Sequence, residues 1–332
     1  MAYSQKPLIE LLKAGAVPSE SEIPKHVETV ISNVFLFPTK VYKFYKNDNE
    51  FFNAKFRDIS SREERFSFTE ADFAWNHLLS PSIHLGVSGA RVGYNQVMLA
   101  EPAADDEERV IVMRRVDAKD FLYTRLLEGR VSEADAYQMG LQLVENLKTV
   151  RAQKLTGHDY YALAQERIED VQDWIKNVSD LIPKEEQDTY VSYLFEFHEK
   201  HMKLFIALSD ELASAGDLHS HNAVFGGGKL YLVDTYPPKA DWMIEYRMEP
   251  AYRLGTDLYA LGSEELYKKF IAGYEKHMDV PVHKELEPYY IVYSSLIMVS
   301  YLYMLQRTAP VHRKAAERFH KFIQDYYATI RR

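Results

Sequence analysis

Across the first 115 or so residues the apolar positions fall in short runs and near-alternations that read as strands. "VETVIS", "VFLFP" and "VYKFYK" are β-branched and aromatic runs separated by Ser32-Asn33 and Thr39-Lys40, the pattern of a tight three-strand meander. The pattern then changes period. "SREERFSFTEADFAWNHLLS" carries apolar residues near helical spacing, with Pro81 just beyond its end, and predicts a helix. "ARVGYNQVMLAE" and "RVIVMRRV", joined by the acidic turn "PAADDEE", return to strand character. Five strands and one helix make a small α+β lobe over residues 1–115, preceded by an N-terminal extension, 1–25.

From Val116 to the C-terminus, 116–332, the pattern is mainly helical. "VSEADAYQMGLQLVENLKTV" opens with Ser132 and Asp135 at capping-box spacing and keeps its apolar residues on one face. "PKEEQDTYVSYLFEFHEKHMKLFIALSDELASAG" starts on a proline suited to a first helical turn and predicts one long helix ending at Gly216. Next, "NAVFGG" and "KLYLVD" alternate about a Gly-rich turn and predict a hairpin, before helices resume near Arg253. The uncharged run Tyr289 to Leu305 approaches membrane-spanning length, but its Tyr and Ser content and its amphipathic neighbours favour a buried core helix.

Composition narrows the class. With 332 residues, 46% hydrophobic and 27% charged, the chain has enough apolar surface to fold into one large domain or two lobes. A net charge of -9 argues against a nucleic-acid or acidic-membrane partner. The absence of cysteine excludes disulfides, thiolate nucleophiles and thiolate-bound metals, and fits a reducing compartment. The N-terminus lacks a basic start followed by an apolar run, so a cytoplasmic protein is expected.

The candidate chemistry lies in "GDLHSHNAVFGGGKLYLVDTYPP", residues 216–238. His219 and His221 form a His-x-His pair of the kind that binds metal in metallophosphoesterases. Such a motif should follow a strand and open a barrel, whereas here it follows helical pattern and leads into more of it. Phosphoryl transfer offers a second reading: a carboxylate beside the acceptor hydroxyl, an amide oxygen five residues on for Mg²⁺, and a second carboxylate after a hairpin. Asp217, Asn222 and Asp234 supply those groups in that order.

"GDLHSHNAVF…LYLVD" resembles the "HGDLHxxNVL…VxxD" signature of aminoglycoside-phosphotransferase-like enzymes of the protein-kinase-like superfamily. "ETVISNVFLFPTKVYKFYK", "FTEADFAWNHLLSPSIHLGV" and "VIVMRRVDAKDFLYTRLLEG" are similar, in order, to segments of an uncharacterised bacterial branch of that family, so the likeness spans most of residues 25–260. The resemblance implies a bilobal kinase-like fold with a small five-stranded antiparallel lobe, a larger helical lobe, and ATP between them. Asp217 would be the catalytic base or hydroxyl-orienting carboxylate, and Asn222 and Asp234 would hold Mg²⁺. Lys43 would bind the α and β phosphates and pair with Glu70. Lys46 competes for that role, because Lys43 and Lys46 lie on opposite strand faces. The turn at Ser32 would sit over the phosphates, backbone groups of Met113, Arg114, Arg115 and Val116 would meet the adenine, and Asp257 would brace the catalytic loop.

The sequence departs from the pattern at Ala215, where the family usually has His, in "DTYPP" after Asp234, and in lacking a Gly-rich phosphate loop. Only 22 residues separate Asp234 from Asp257, without an Ala-Pro-Glu element, which favours a small-molecule acceptor over a peptide. Asp241, Glu245 and Glu249 either complement a cationic acceptor or belong to a solvated loop, and Trp242 and Tyr246 are packing residues or lie near the acceptor site. Three readings follow: an ATP- and Mg²⁺-dependent small-molecule kinase, a kinase-fold nucleotide-binding regulatory protein without turnover, and a His-x-His metallophosphoesterase.

Overall fold

The computed structural model of the chain describes residues 4–29, 31–55, 57–148, 157–214, 217–235, 244–278 and 281–332. Two compact units emerge, one of residues 1–117 with 231–237 and the other of 118–230 with 238–332.

In the first unit, strands β1 (Lys25–Glu28), β2 (Ser32–Leu36) and β3 (Lys40–Tyr45) form the expected meander. Strands β4 (His84–Val92), β5 (Val97–Ala100) and β6 (Glu108–Arg114) complete an antiparallel sheet in the order β1-β2-β3-β6-β4-β5. The sheet has six strands, not five. "ARVGYNQVMLAE" turns on itself, with Gly93 N–H donating to Gln96 O at 2.8 Å, because Gly and Asn supply turn chemistry in what otherwise looks like one long strand. A second correction concerns the first turn: Ser32 and Asn33 lie inside β2, and the chain reverses before them, where Thr29 and Ser32 exchange hydrogen bonds.

Strand alternation gives the sheet two apolar faces. Phe35, Phe37, Tyr42, Phe44, Ala90, Val97 and Val110 fill one face, and the N-terminal extension closes it. Helix α1 (Lys6–Lys13) inserts Leu8 and Leu12, both fully buried, and each such side chain contributes about 1.5–3 kcal/mol relative to leaving it in water. The other face holds Tyr45, Phe52, Ile59, Phe68 and Ile111, and includes residues of α2 (Glu50–Lys55) and α3 (Arg62–Leu79). Ser61 caps α3 by accepting from Glu64 N–H. Arg65, fully buried, then pins this helix to β6: its Nε donates to both oxygens of Glu108 at 2.9 and 3.0 Å, and its Nη1 to the carbonyls of Ile59, Ser60 and Ser61. The position of α3 is fixed from its first turn.

The second unit is mainly helical. It contains α4 (Leu122–Leu127), α5 (Glu133–Asn146), α6 (Tyr160–Ile175), α7 (Lys184–Lys200) and α8 (Met202–Ala207). Both halves of the capping box predicted at Ser132 and Asp135 are present at the start of α5. The helix predicted from Pro183 breaks at His201 instead of running on. Strand β7 (Leu212–Ser214) follows, and the predicted end at Gly216 lies outside the described residues.

β7 pairs antiparallel with β10 (Ile244–Tyr246). Between them in sequence come β8 (Ala223–Gly226) and β9 (Lys229–Leu232), the predicted hairpin, whose Gly227 and Gly228 have φ of 58° and 73° as its turn requires. Helices α9 (Glu249–Leu261), α10 (Glu264–Glu275), α11 (Glu287–Thr308) and α12 (Arg313–Ile330) complete the unit. By length and composition the Lys284–Arg307 stretch is apolar enough to cross a membrane, and 72% of its most apolar window is buried within the protein.

Candidate active site

On β3 the alternation sends Tyr42 and Phe44 into the outer core and leaves Lys43 and Tyr45 on the side of α3. Lys43, 5% exposed, forms an ion pair with Asp234, and its Nζ lies 3.8 Å from Asp72 Oδ2 and 4.9 Å from the centre of the Tyr45 ring. Burial alone would lower the pKa of Lys43, but the carboxylates of Asp234 and Asp72 outweigh it and hold the ammonium above its ordinary value.

Asp72 is 2% exposed and accepts from Tyr45 OH at 2.7 Å and from Asn76 Nδ2 at 2.9 Å. Burial pushes its carboxyl up to about 6 against the pull of Lys43. Asp234 differs: its side chain is 46% exposed and its backbone is left-handed, at φ 64°. A non-glycine residue in that region is strained, and the neighbouring structure must hold it there.

In the second unit, the segment 217–222 is built from its own polar groups. Asn222 Nδ2 donates to Asp217 O at 2.9 Å, which commits the amide nitrogen to the loop. Asp257, fully buried on α9, accepts from Ser220 N–H at 2.7 Å and so ties the loop to that helix. The side chain of Asp217 is about a third exposed and receives Arg253 Nη2 at 3.1 Å, with His219 Nε2 3.7 Å away. Burial would raise the carboxyl, but His219 and the Arg253 guanidinium bring it down to about 2. Asp217 is therefore an anion across the working pH range. Arg253 also donates to Glu245 Oε1 at 2.8 Å, so one guanidinium bridges two carboxylates.

No family model matches the chain, and no curated protein matches it in sequence. Solved structures do. A glucosamine kinase in complex with glucosamine, ADP and inorganic phosphate is similar over 98% of this chain and 86% of its own, with a TM-score of 0.54 and 10% identity. The choline kinase of Cryptosporidium parvum Iowa II is similar over 98% and 96%, with a TM-score of 0.52 and 13% identity. For a choline/ethanolamine kinase family protein from Mesorhizobium loti the shares are 97% and 98%, with a TM-score of 0.51 and 12% identity. This is the protein-kinase-like fold. Likeness at such identities speaks for the fold, so the chemistry of this kinase-like chain rests on its own residues.

The structure brings the predicted residues together in two groups. Lys43 and Asp234 are brought together in the first unit, and Asp217, Asn222 and Asp257 in the second. The two lysine candidates separate clearly: Lys46 donates to Thr29 O at 2.7 Å and pairs with Glu28 at 2.8 Å, whereas Lys43 meets Asp234. Met113 and Arg114 end β6, where Met113 pairs with Val41. The N–H groups of Arg114 and Arg115 donate to Ile83 O and Thr39 O, and Val116 follows in the loop.

Glu70 is corrected. It is 57% exposed and reaches Arg109 Nε at 3.4 Å, and the α3 carboxylate facing Lys43 is Asp72. Two residues further along a helix lies nearly the opposite face, and the buried face of α3 carries Arg65, Phe68, Thr69, Asp72, Trp75, Asn76 and Leu79. An acidic residue in register with Phe68 and Trp75 was the available signal. Ser32 is also corrected, being 1% exposed within β2 and bonded to Thr29 rather than capping an open turn.

Glu245 and Glu249, read from sequence as acceptor-facing or solvated, are neither. Both are buried, Glu245 on Arg253 and Glu249 on Arg167 at 2.9 and 3.1 Å. Asp241 and Trp242 lie outside the described residues. His219 Nδ1 accepts from His221 N–H at 3.3 Å, and the His221 ring stacks on Tyr123 at 3.8 Å. Burial takes His221 well below the ordinary imidazole range. Among the described residues no group of three or more His, Asp or Glu forms a metal-holding cluster.

Each unit carries an oxygen group of the kind Mg²⁺ takes as a ligand, the carboxylate of Asp234 in the first and the amide oxygen of Asn222 in the second.

Proposed function

We propose that this chain is a small-molecule kinase that moves the terminal phosphoryl group of ATP to a hydroxyl of its acceptor. The observation that carries the reading is the buried Lys43, held against both Asp72 and the partly exposed Asp234. A buried ammonium oriented by one carboxylate and shared with a second, metal-type carboxylate is what binding of nucleotide phosphates requires.

In this reading the first unit binds the nucleotide and the second presents the acceptor. Lys43 neutralises charge on the α and β phosphates, while Asp72 keeps its ammonium oriented and charged. Asp234 and Asn222 would hold Mg²⁺, which would supply charge neutralisation for the transferred group. Asp217 accepts a hydrogen bond from the acceptor hydroxyl and aligns it for in-line attack. A carboxylate held at about 2 is a poor proton sink in the ground state, so it acts by orientation until bond formation has acidified the hydroxyl. Asp257 fixes the loop through Ser220 N–H. The short segment after Asp234 favours a small acceptor over a polypeptide, and the described kinase-like structures, solved with glucosamine or named for choline, act on small molecules of that size.

The test is a thermal-shift titration with ATP, with and without Mg²⁺, on the native chain, Asp234→Ala and Asp217→Ala. Stabilisation by ATP that needs Mg²⁺, disappears in Asp234→Ala and survives in Asp217→Ala is the expected result. Turnover against a panel of hydroxylated amines and sugars, lost in Asp217→Ala, then separates an enzyme from a nucleotide-binding regulator. Absence of any shift at millimolar ATP sinks the reading.

A further inference from the structure

The left-handed backbone of Asp234 needs something to hold it, and the contacts on its C-terminal side lead to Asn76 on α3. Asn76, 1% exposed, pairs with the backbone of Thr235 as one strand pairs with another. Its Oδ1 accepts from Thr235 N–H at 3.0 Å and its Nδ2 donates to Thr235 O at 2.6 Å. The hydroxyl of Thr235 donates to Asn76 Oδ1 at 2.9 Å and accepts from Trp75 Nε1 at 3.1 Å. On the other side of Asp234, Leu232 N–H donates to Ser80 Oγ at 2.9 Å, at the end of the same helix. Both flanks of Asp234 are thus bonded to α3.

Asn76 has a second attachment. Its Nδ2 also donates to Asp72 Oδ1 at 2.9 Å, and Asp72 faces Lys43, which pairs with Asp234. The contacts close a ring: Asp72, Lys43, Asp234, Thr235, Asn76, and back to Asp72. Every member except Asp234 is buried, so the hydrogen bonds operate where water competes least and where an unpaired partner is costly.

We propose that Asn76 is a positioning residue for Asp234, and that through it α3 and the metal-type carboxylate behave as one rigid piece. On this account the Lys43 site is assembled before nucleotide arrives, with no swing of α3 needed to complete it. The proposal rests on the kinase reading given above. It concerns residues that touch neither metal nor substrate, acting as outer-shell groups act on the ligands they orient.

The experiment compares native protein, Asn76→Ala, Thr235→Val and Thr235→Ser. Two quantities are read: hydrogen exchange at the Thr235 amide in the nucleotide-free protein, and the Mg²⁺ concentration giving half of the ATP-induced stabilisation. Asn76→Ala is expected to lose protection at Thr235 and to need about tenfold more Mg²⁺. Thr235→Val, which keeps the backbone pair and loses the hydroxyl, moves both readings in the same direction by less, and Thr235→Ser stays close to native. If Asn76→Ala fails to fold, the Val and Ser pair carries the comparison, and equal Mg²⁺ requirements in the two overturn the proposal. A native protein that responds to Mg²⁺ and ATP, with Asn76→Ala showing the same Mg²⁺ requirement, overturns the proposal and leaves the kinase reading standing. A native protein with no response removes the kinase reading and this proposal with it.

Discussion

Replacing Lys43 by Met tests the buried pair at the centre of the site without any knowledge of substrate. The substitution keeps the apolar stem and removes the charge, leaving Asp72, 2% exposed, facing an uncharged side chain. Removing one member of a buried ion pair typically costs about 3–5 kcal/mol when the other stays charged. Asp72 has a way out through protonation, and that gives the prediction its shape.

In the native protein its carboxyl sits at about 6 against an ordinary value of 3.8, so the folded state binds its proton more tightly than the unfolded chain does. Stability therefore falls as pH rises from 3.8 to about 6 and levels off above that, since both states are then ionised. Without Lys43 the folded-state value moves higher still, because the charge that opposed burial is gone. The plateau is lost, and the penalty relative to native should grow by about 1.4 kcal/mol per pH unit above pH 6 until Asp72 ionises. Lys43 stays protonated in both states over this range and adds no slope in the native protein.

Urea unfolding of native protein and Lys43→Met at half-unit steps between about pH 5 and 8 measures the difference directly. Adding Asp72→Asn to Lys43→Met should abolish its growth with pH. A penalty that is constant with pH, or one that still grows in the double variant, would refute the argument.

Two further predictions concern the second unit. A Cβ at Gly140 would lie 2.1 Å from Phe270 O, and one at Gly273 2.2 Å from Tyr137 O, so α5 and α10 touch backbone to backbone. Gly140→Ala should destabilise by about 2 kcal/mol in thermal or urea unfolding despite alanine's better helix propensity, and a stabilised variant would contradict that packing. Arg253→Met removes a cation that lowers Asp217, so the acid limb of the turnover-pH profile should move to higher pH; an unmoved limb in a folded variant would show that Arg253 does not set the ionisation of Asp217.

Legibility of the sequence varied with how local the cause was. The capping box at Ser132, the hairpin turn at Gly227-Gly228 and the strand parity that separates Lys43 from Lys46 were readable because each depends on neighbours within a few residues. Glu70, the α3 carboxylate that the resemblance implies, lies off the buried face of the helix. The apolar register of Phe68, Trp75 and Leu79 points to Asp72. The break at His201 and the sixth strand were hidden by runs whose composition suits either continuation or a turn. Least readable was Asn76, whose partner Thr235 lies 159 positions away and whose amide gains meaning only once the fold brings the two together.

On the kinase reading proposed above, the buried charges of the second unit bear on what acceptor the chain would take. Net charge of -9 invites an acceptor that is cationic, and after Asp234 the next acidic residues on the C-terminal side of Asp217 that the structure describes are Glu245 and Glu249. Yet Glu249 answers Arg167 and Tyr160, and Glu245 answers Arg253, which also answers Asp217. Burial, with Glu249 close by, raises the Glu245 carboxyl above its ordinary range against the pull of Arg253. An ammonium group would have to displace Arg253 to reach Glu245, or Arg167 to reach Glu249, breaking a buried ion pair in the exchange. Recognition of the acceptor therefore has to come from groups other than these two carboxylates. On the kinase reading proposed above, what the Glu245-Arg253-Asp217 chain supplies is an ionised Asp217 held in a fixed orientation, a contribution to alignment that any hydroxyl acceptor of suitable size would use.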